Sequence, residues 1–366
     1  MGGAPRALLD TVQSLSSSYK VEVCSYGAGP FVDACRLRGI TCHVLPARLA
    51  SSFPMAYWYL FLGALQWAWH LWKFAPDLCY VNTCAHSHPL LVARTAGVRT
   101  ILHQREHFLK GRYRYRSRLR MKVFGFTVTD WWSVSSAVSQ SIRSHFPRRR
   151  WVLTVHDALL ASRAEELRRP LDARKARQQL GLELDGFLVG FLGAPTRTKG
   201  VDLFLRAATQ LRGHPIRFAI AGGDYRSSFE MARVLELEKK VDLSRIHYFP
   251  QISKVRDFLS ALDFLCVLSR SEGFGLVFLE AAAAGCPVLT TPVGAATEIF
   301  EEGKTGAFFP DYKVENIAKW ILEFLSDSSR RENLAIGAKK TIPERFSWEN
   351  YERFAKARIS WLINML

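Results

Sequence analysis

Residues 269–289 read SRSEGFGLVFLEAAAAGCPVL, with two carboxylates, Glu272 and Glu280, set among glycines and apolar side chains. The preceding run FLCVLS (264–269) has the composition of a buried strand, and a helix is expected from about Leu276. The first amides of such a helix have no intrahelical acceptor and carry the positive end of its dipole. Gly273 and Gly275 let the backbone approach a ligand closely. The stretch therefore predicts an anion site for a phosphate, built from the amides of Gly275, Leu276 and Val277. Glu272 cannot bind phosphate itself, but at the lip of the site it suits sugar hydroxyls or developing positive charge. Glu280, deeper in the helix and flanked by apolar residues, is suited to accept two hydroxyl hydrogen bonds, as from a ribose diol.

A second phosphate partner follows the run GFLVGFLG (186–193), where GAPTRTKG (193–200) offers Arg197 and Lys199 at a strand's carboxyl end. The Gly-Lys-Ser/Thr order of a Walker loop is missing, and the chain has no Asp-x-Asp. Cations and helix dipoles are thus offered to a diphosphate, with no evident metal cage.

The elements that must position these residues alternate. Strand-like runs at 186–193, 216–223, 246–250, 264–269 and 287–291 are separated by helical stretches at 201–213, 229–240, 253–263 and near 276–285. That is the pattern of a parallel, doubly wound sheet, which binds ligands beyond the carboxyl ends of its strands. The first half repeats it less clearly, with strands expected at 19–27, 40–47, 77–83, 98–106 and 130–136. The fold class expected is α/β, with two Rossmann-like doubly wound domains. The boundaries read as 1–155, 156–345 and a helical, amphipathic tail, 346–366, packing back on the first domain. The chain opens on GGAPRALLDTVQSL, a glycine loop already leading into a helix. A doubly wound domain has a strand before that loop. Either it lies upstream or it is absent, which would leave a sheet edge exposed.

Charge is uneven. Residues 1–155 hold 20 Lys/Arg against 6 Asp/Glu, a net +14 of the chain's +17. The first half is expected to face something anionic. In LKGRYRYRSRLRMK (109–122) a Lys or Arg stands at every even position. A solvated surface, anionic headgroups or a charged acceptor, and nucleic acid are all open readings, although no nucleic-acid motif accompanies it. FPMAYWYLFLGALQWAWHLW (53–72) has no Asp, Glu, Lys or Arg. Three readings stand: a membrane span, a crossover helix with part of its face on a membrane, or an ordinary buried helix. Seven cysteines without a C-x-x-C pair, and no apolar leader after Met1, fit a reduced cytoplasmic protein, peripheral at the inner membrane face.

The arrangement Glu272-Gly-Phe-Gly-x4-Glu280, with AAAAGCPVLTTPVGAATEIFEEGKTGAFF after it, resembles the E-x7-E signature of glycosyltransferase family 4. FLGAPTRTKGVDLFLRAA resembles that family's donor loop, Gly2, Gly3 and Ala4 its opening, and APDLCYVNT and WWSVSSAVSQSI its first-domain strands. The resemblance implies a GT-B fold, its two domains facing across a cleft. It implies sugar transfer from a nucleotide-diphosphate-sugar co-substrate to a glycan or lipid-linked acceptor, with retention and no metal. Carried over, Glu280 would bind the ribose and Glu272 the donor sugar. Lys199, Arg197 and the helix amides would hold the diphosphate, with Gly2 and Gly3 close to the donor. Three positions depart from the pattern. Ala194 stands where an arginine is usual, and Arg197 is the expected substitute. Asp157-Ala158 replaces an Asn-Gly turn. In LHQREH the residue facing the donor sugar is ambiguous, and His103 is taken over Arg105–Glu106 and His107. Readings of other classes are an inactive nucleotide-sugar or lipid-binding protein, an epimerase or phosphorylase on the same fold, and a nucleic-acid-binding module.

Overall fold

The computed structural model describes residues 2–45, 55–84, 88–107, 124–147, 151–223, 245–250, 252 and 254–365. The chain divides into two compact units, Met1–Asp157 with Glu349–Leu366, and Ala158–Trp348. The basic run 109–122 and the stretch 229–240 lie wholly outside the described residues.

In the first unit, β1 (Val23–Ser25) pairs in parallel with β2 (Cys42–Val44). A separate parallel sheet has the order β3 (Leu78–Asn82), β4 (Arg99–Gln104), β5 (Asp130–Ser133), β6 (Val152–Thr154). Five of these six strands lie within runs expected from sequence; β6, only three residues long, was not expected. The unit's other layers are helices, among them Gly3–Leu15, Met55–Phe74, Ser136–His145 and Trp348–Asn364. The last docks by specific polar contacts. Arg358 donates to both oxygens of buried Asp130 at 2.7 and 3.1 Å, and the Tyr351 and Thr11 hydroxyls bond at 2.7 Å. Phe354 packs on Trp132 with ring centroids 5.6 Å apart.

Helix Met55–Phe74 exposes Leu62, Leu65, Trp69 and Trp72. Their spacing of three, four and three residues keeps them on one face. Among the described residues no helix is long and apolar enough to cross a membrane.

The second unit is built on one six-stranded sheet. Its strands are β7 (Phe187–Leu192), β8 (Ile216–Ala221), β9 (Ile246–Phe249), β10 (Phe264–Val267), β11 (Val288–Thr290) and β12 (Ala307–Phe308). The order is β12-β11-β10-β7-β8-β9, all parallel. Its central strands are apolar on both faces because helices cover both. The core is rich in phenylalanine, with Phe204 edge-on to Phe218 at 5.5 Å and Phe264 to Phe324 at 4.9 Å. Strand order reverses between β7 and β10. Loops at the carboxyl ends of that pair flank the crevice where doubly wound sheets take their ligands.

Candidate functional site

Those two loops, 193–200 after β7 and 268–275 after β10, carry the charged residues singled out in the sequence. They are fastened to each other through the backbone. Arg270 N donates to the Thr198 carbonyl at 2.8 Å, and the Arg270 side chain reaches the Arg197 carbonyl at 2.6 Å and both oxygens of Asp202 at 2.6 and 2.8 Å. Gly200, at φ +79°, passes so close to the β10 loop that a Cβ would lie 2.0 Å from the Leu268 carbonyl oxygen. Gly294, at φ +58°, passes the Glu272 carbonyl at the same would-be separation. Only glycine fits either position.

This clamp brings Lys199 onto Glu272, with Nζ donating to Oε2 at 2.5 Å. Glu272 is 8% exposed, and Ser269 Oγ reaches the same oxygen at 3.4 Å. Lys199 is half-buried. Gly275 caps the helix Leu276–Ala284 in a left-handed conformation, φ +89° and ψ +74°. A Cβ there would meet the Phe278 ring at 2.7 Å and the Glu272 side chain at 3.2 Å. The turn thus folds Glu272 back over the helix mouth while the amides of Gly275, Leu276 and Val277 open that helix. Lys199, Glu272 and the helix N-terminus are brought together as the sequence motif requires.

Glu280 is buried, as its apolar neighbours predict, and it is paired. Arg163, on helix Ala161–Arg168, donates to Oε1 through Nε at 3.1 Å and through a terminal nitrogen at 2.5 Å. Sequence reasoning missed this arginine. It lies 117 residues from its partner in a stretch with no motif, so nothing local marks it. Arg197 is exposed, and the exposed Ala194 offers no side-chain charge.

Three first-unit residues were expected at the site. Gly2 is the exposed N-cap of helix Gly3–Leu15 at φ −77°, and a Cβ there would meet only Pro5 Cδ at 4.0 Å. Neither φ nor packing demands glycine at Gly2, and Gly3 is likewise exposed. His103, at the end of β4, is fully buried at 0% exposure. The Tyr80 hydroxyl bonds its Nδ1 at 2.5 Å, and the rings of Tyr80 and Trp132 stand edge-on to it at 6.0 and 5.6 Å. Burial, reinforced by neighbouring Arg105, pushes its pKa well below the usual histidine range. His103 is thus a neutral core histidine in this structure, with no surface offered to a sugar. The packing of β4 between β3 and β5, both bearing aromatics, encloses it.

Next to it lies a polar knot that sequence reasoning left unresolved. Arg105 donates to Asp157 through one nitrogen and to Asn82 Oδ1 at 2.5 Å through Nε; Asn82 Nδ2 donates to the Ala4 carbonyl at 3.1 Å. Burial works against charge on Arg105, but Asp157 more than offsets it and raises the guanidinium pKa. Asp157, which replaces the family's turn asparagine, therefore has a definite partner. Among the described residues, no group of three or more His, Cys, Asp or Glu is arranged to hold a metal ion.

Comparison with known proteins agrees with this geometry. Residues 172–341 match the family model described as Glycosyl transferases group 1. A D-inositol 3-phosphate glycosyltransferase of Corynebacterium urealyticum is 34% identical over 183 residues, 48% of this chain and 43% of the relative. An uncharacterized glycosyltransferase of Methanocaldococcus jannaschii is 32% identical over 177 residues, 48% and 45% of the respective lengths. The chain thus spans less than half the length of these curated relatives. Among solved structures, Anabaena HepE in complex with UDP-glucose has a TM-score of 0.80 at 18% identity, covering 98% of this chain and 96% of that one. Sucrose-phosphate synthase of Thermosynechococcus elongatus has 0.82 at 18%, covering 100% and 94%. These whole-chain likenesses show the fold, which is GT-B. The clamped loops and both glutamates lie inside residues 172–341, the part of the chain that is similar to the group 1 glycosyl transferases.

Proposed function

We propose that the protein is a glycosyltransferase that moves a sugar from a nucleoside-diphosphate sugar to an acceptor with retention at the anomeric carbon. The observation that carries this reading is Lys199 on Glu272 at the mouth of the helix that Gly275 opens. That mouth supplies backbone donors and a positive dipole for a diphosphate. Lys199 adds a cation, Arg197 a second one from its exposed position, and Glu280, held in place by Arg163, an acceptor for the ribose hydroxyls. Glu272 takes the donor sugar's hydroxyls. Catalysis then consists mainly of stabilising charge on the leaving diphosphate and orienting the acceptor, with the departing phosphate taking the acceptor's proton on the same face. His103 is left out of the reacting group because it is enclosed.

Support for the donor class comes from relatives. HepE has been solved with UDP-glucose, and the Corynebacterium relative is named D-inositol 3-phosphate glycosyltransferase. The acceptor is proposed to be lipid-linked or membrane-adjacent. The +14 charge of residues 1–155 and the exposed stripe Leu62, Leu65, Trp69 and Trp72 support peripheral attachment to an anionic surface. The protein is placed on the cytoplasmic side on the same reading, and transfer is proposed to need no metal.

The test is turnover. Purified protein is incubated with UDP-, GDP- and ADP-sugars, with D-inositol 3-phosphate or a polyprenyl-diphosphate sugar as acceptor, with and without EDTA. The expected result is nucleoside diphosphate released only when an acceptor is present, insensitive to EDTA, with a product whose anomeric coupling by NMR equals that of the donor. Binding without release in every combination would instead favour a nucleotide-sugar-binding protein, the reading that Ala194 and the enclosed His103 would then support.

A further inference from the structure

The first unit contains a cavity of about 810 Å³ that lies between its two sheets rather than at any loop cluster considered above. One long wall is the free edge of β1; the other is the free edge of β3. Among the described strands β1 pairs only with β2, and β3 only with β4. Helices contribute apolar groups to the other walls, including Leu8, Val12, Phe31, Leu71 and Ile359, and part of the space stays open to solvent.

The two edges run in the same direction. Lys20, ahead of β1, sits over the Phe74 ring ahead of β3 at 4.9 Å. Tyr26, beyond β1, packs on His88 beyond β3 with ring centroids 5.1 Å apart. Backbone polarity follows from the hydrogen bonds of each ladder. Val23 N donates to Thr41 O and Ser25 O accepts from Leu45 N, so alternation turns the N–H and C=O of Cys24 toward the cavity. Thr83 N donates to His103 O, which likewise turns the groups of Asn82 and Tyr80 toward it. Two facing rows of backbone donors and acceptors thus look into a mostly apolar space, whose polar side chains include Glu22, His43, His70 and Asp77. An alkyl chain would fill that space but leave those groups unsatisfied, which is costly for buried backbone. An extended peptide satisfies both rows at once.

We propose that this cavity is a seat for one additional β-strand: an extended, continuously apolar peptide segment that bonds to β1 on one side and β3 on the other and fuses the two sheets into one. Helices flank the space, so the segment must be apolar on both faces, a Val/Ile/Leu run rather than an alternating one. Five or six residues match the length of β3. The segment enters parallel to its neighbours, amino end by Lys20 and Phe74. Its carboxyl end lies by Ala4, whose carbonyl is held by Asn82 at the end of β3.

Hydrogen exchange tests this on the full chain. The probe is a peptide of two lysines followed by six Val/Ile/Leu residues, added free or linked ahead of Met1. Controls are the same peptide N-methylated at alternate residues, which keeps its apolar surface but removes donors, and lauric acid. The expected result is exchange slowed at least tenfold at the amides of Cys24, Tyr80 and Asn82 by the unmodified peptide in the free or linked form, and by neither control. Equal protection by lauric acid or by the methylated peptide would overturn the proposal in favour of an acyl-chain pocket. Absence of protection by both the free and the linked peptide would overturn it outright. None of these readouts involves the second unit, so donor binding and this inference fail or stand separately.

Discussion

Arg163 fixes Glu280 through two nitrogens that land on the same carboxylate oxygen, at 3.1 and 2.5 Å, across 117 residues of sequence. Glu280 is buried and Arg163 is about one-quarter exposed. Removing the guanidinium leaves a buried carboxylate without this partner. Arg163→Ala is expected to lower unfolding stability by about 3 kcal/mol, the low end for a broken buried pair because Arg163 keeps some solvent. In urea melts the double variant Arg163→Met/Glu280→Leu should recover part of that loss. Additive losses would mean that the two side chains do not act as a pair.

The loops of the candidate site depend on two glycines for steric reasons. Gly200→Ala and Gly294→Ala each place a Cβ about 2.0 Å from a carbonyl oxygen at a left-handed φ. Each is expected to cost at least about 3 kcal/mol from strain and overpacking together. Gly2→Ala, at an unstrained and open position, should stay within about 0.5 kcal/mol. Thermal melts of the three variants decide this, and a Gly294→Ala protein as stable as Gly2→Ala would refute the close approach.

His103 makes stability pH-dependent with a definite sign. Its folded pKa is depressed by burial and by Arg105, so below the unfolded value of about 6.5 the unfolded chain takes up a proton that the native chain refuses. Its contribution is present above that value and is lost as pH falls through it toward the folded pKa. Chemical unfolding from pH 7.5 to 5 should show stability falling with acid, more shallowly in His103→Gln. An identical slope in the two proteins would show that His103 takes up its proton in the native state.

The second unit was legible because its signals are local. Apolar runs such as FLVGFL and FLCV are strands wherever helices cover both faces, and Glu272-Gly-Phe-Gly announces a turn into a helix within a few residues. What escaped was non-local or short: Arg163 on Glu280, the three-residue β6, and the knot of Arg105, Asp157 and Asn82. His103 illustrates the limit in the other direction. Its sequence position at a strand's carboxyl end suggested a ligand, but only the Tyr80 and Trp132 rings of neighbouring strands decide that it is enclosed. The cavity between β1 and β3 depends on how two separate sheets pack, which no local run of residues announces.

The central claim is that Lys199 and the helix opened by Gly275 hold a diphosphate. Isothermal titration of the protein with UDP-, GDP- and ADP-sugars tests it most directly, with Lys199→Ala beside the unaltered chain. One nucleotide class is expected to bind, and Lys199→Ala to bind it at least tenfold more weakly, a loss of about 1.4 kcal/mol or more. Equal affinity in the two proteins, or no binding of any of the three classes by the unaltered chain, would contradict the account.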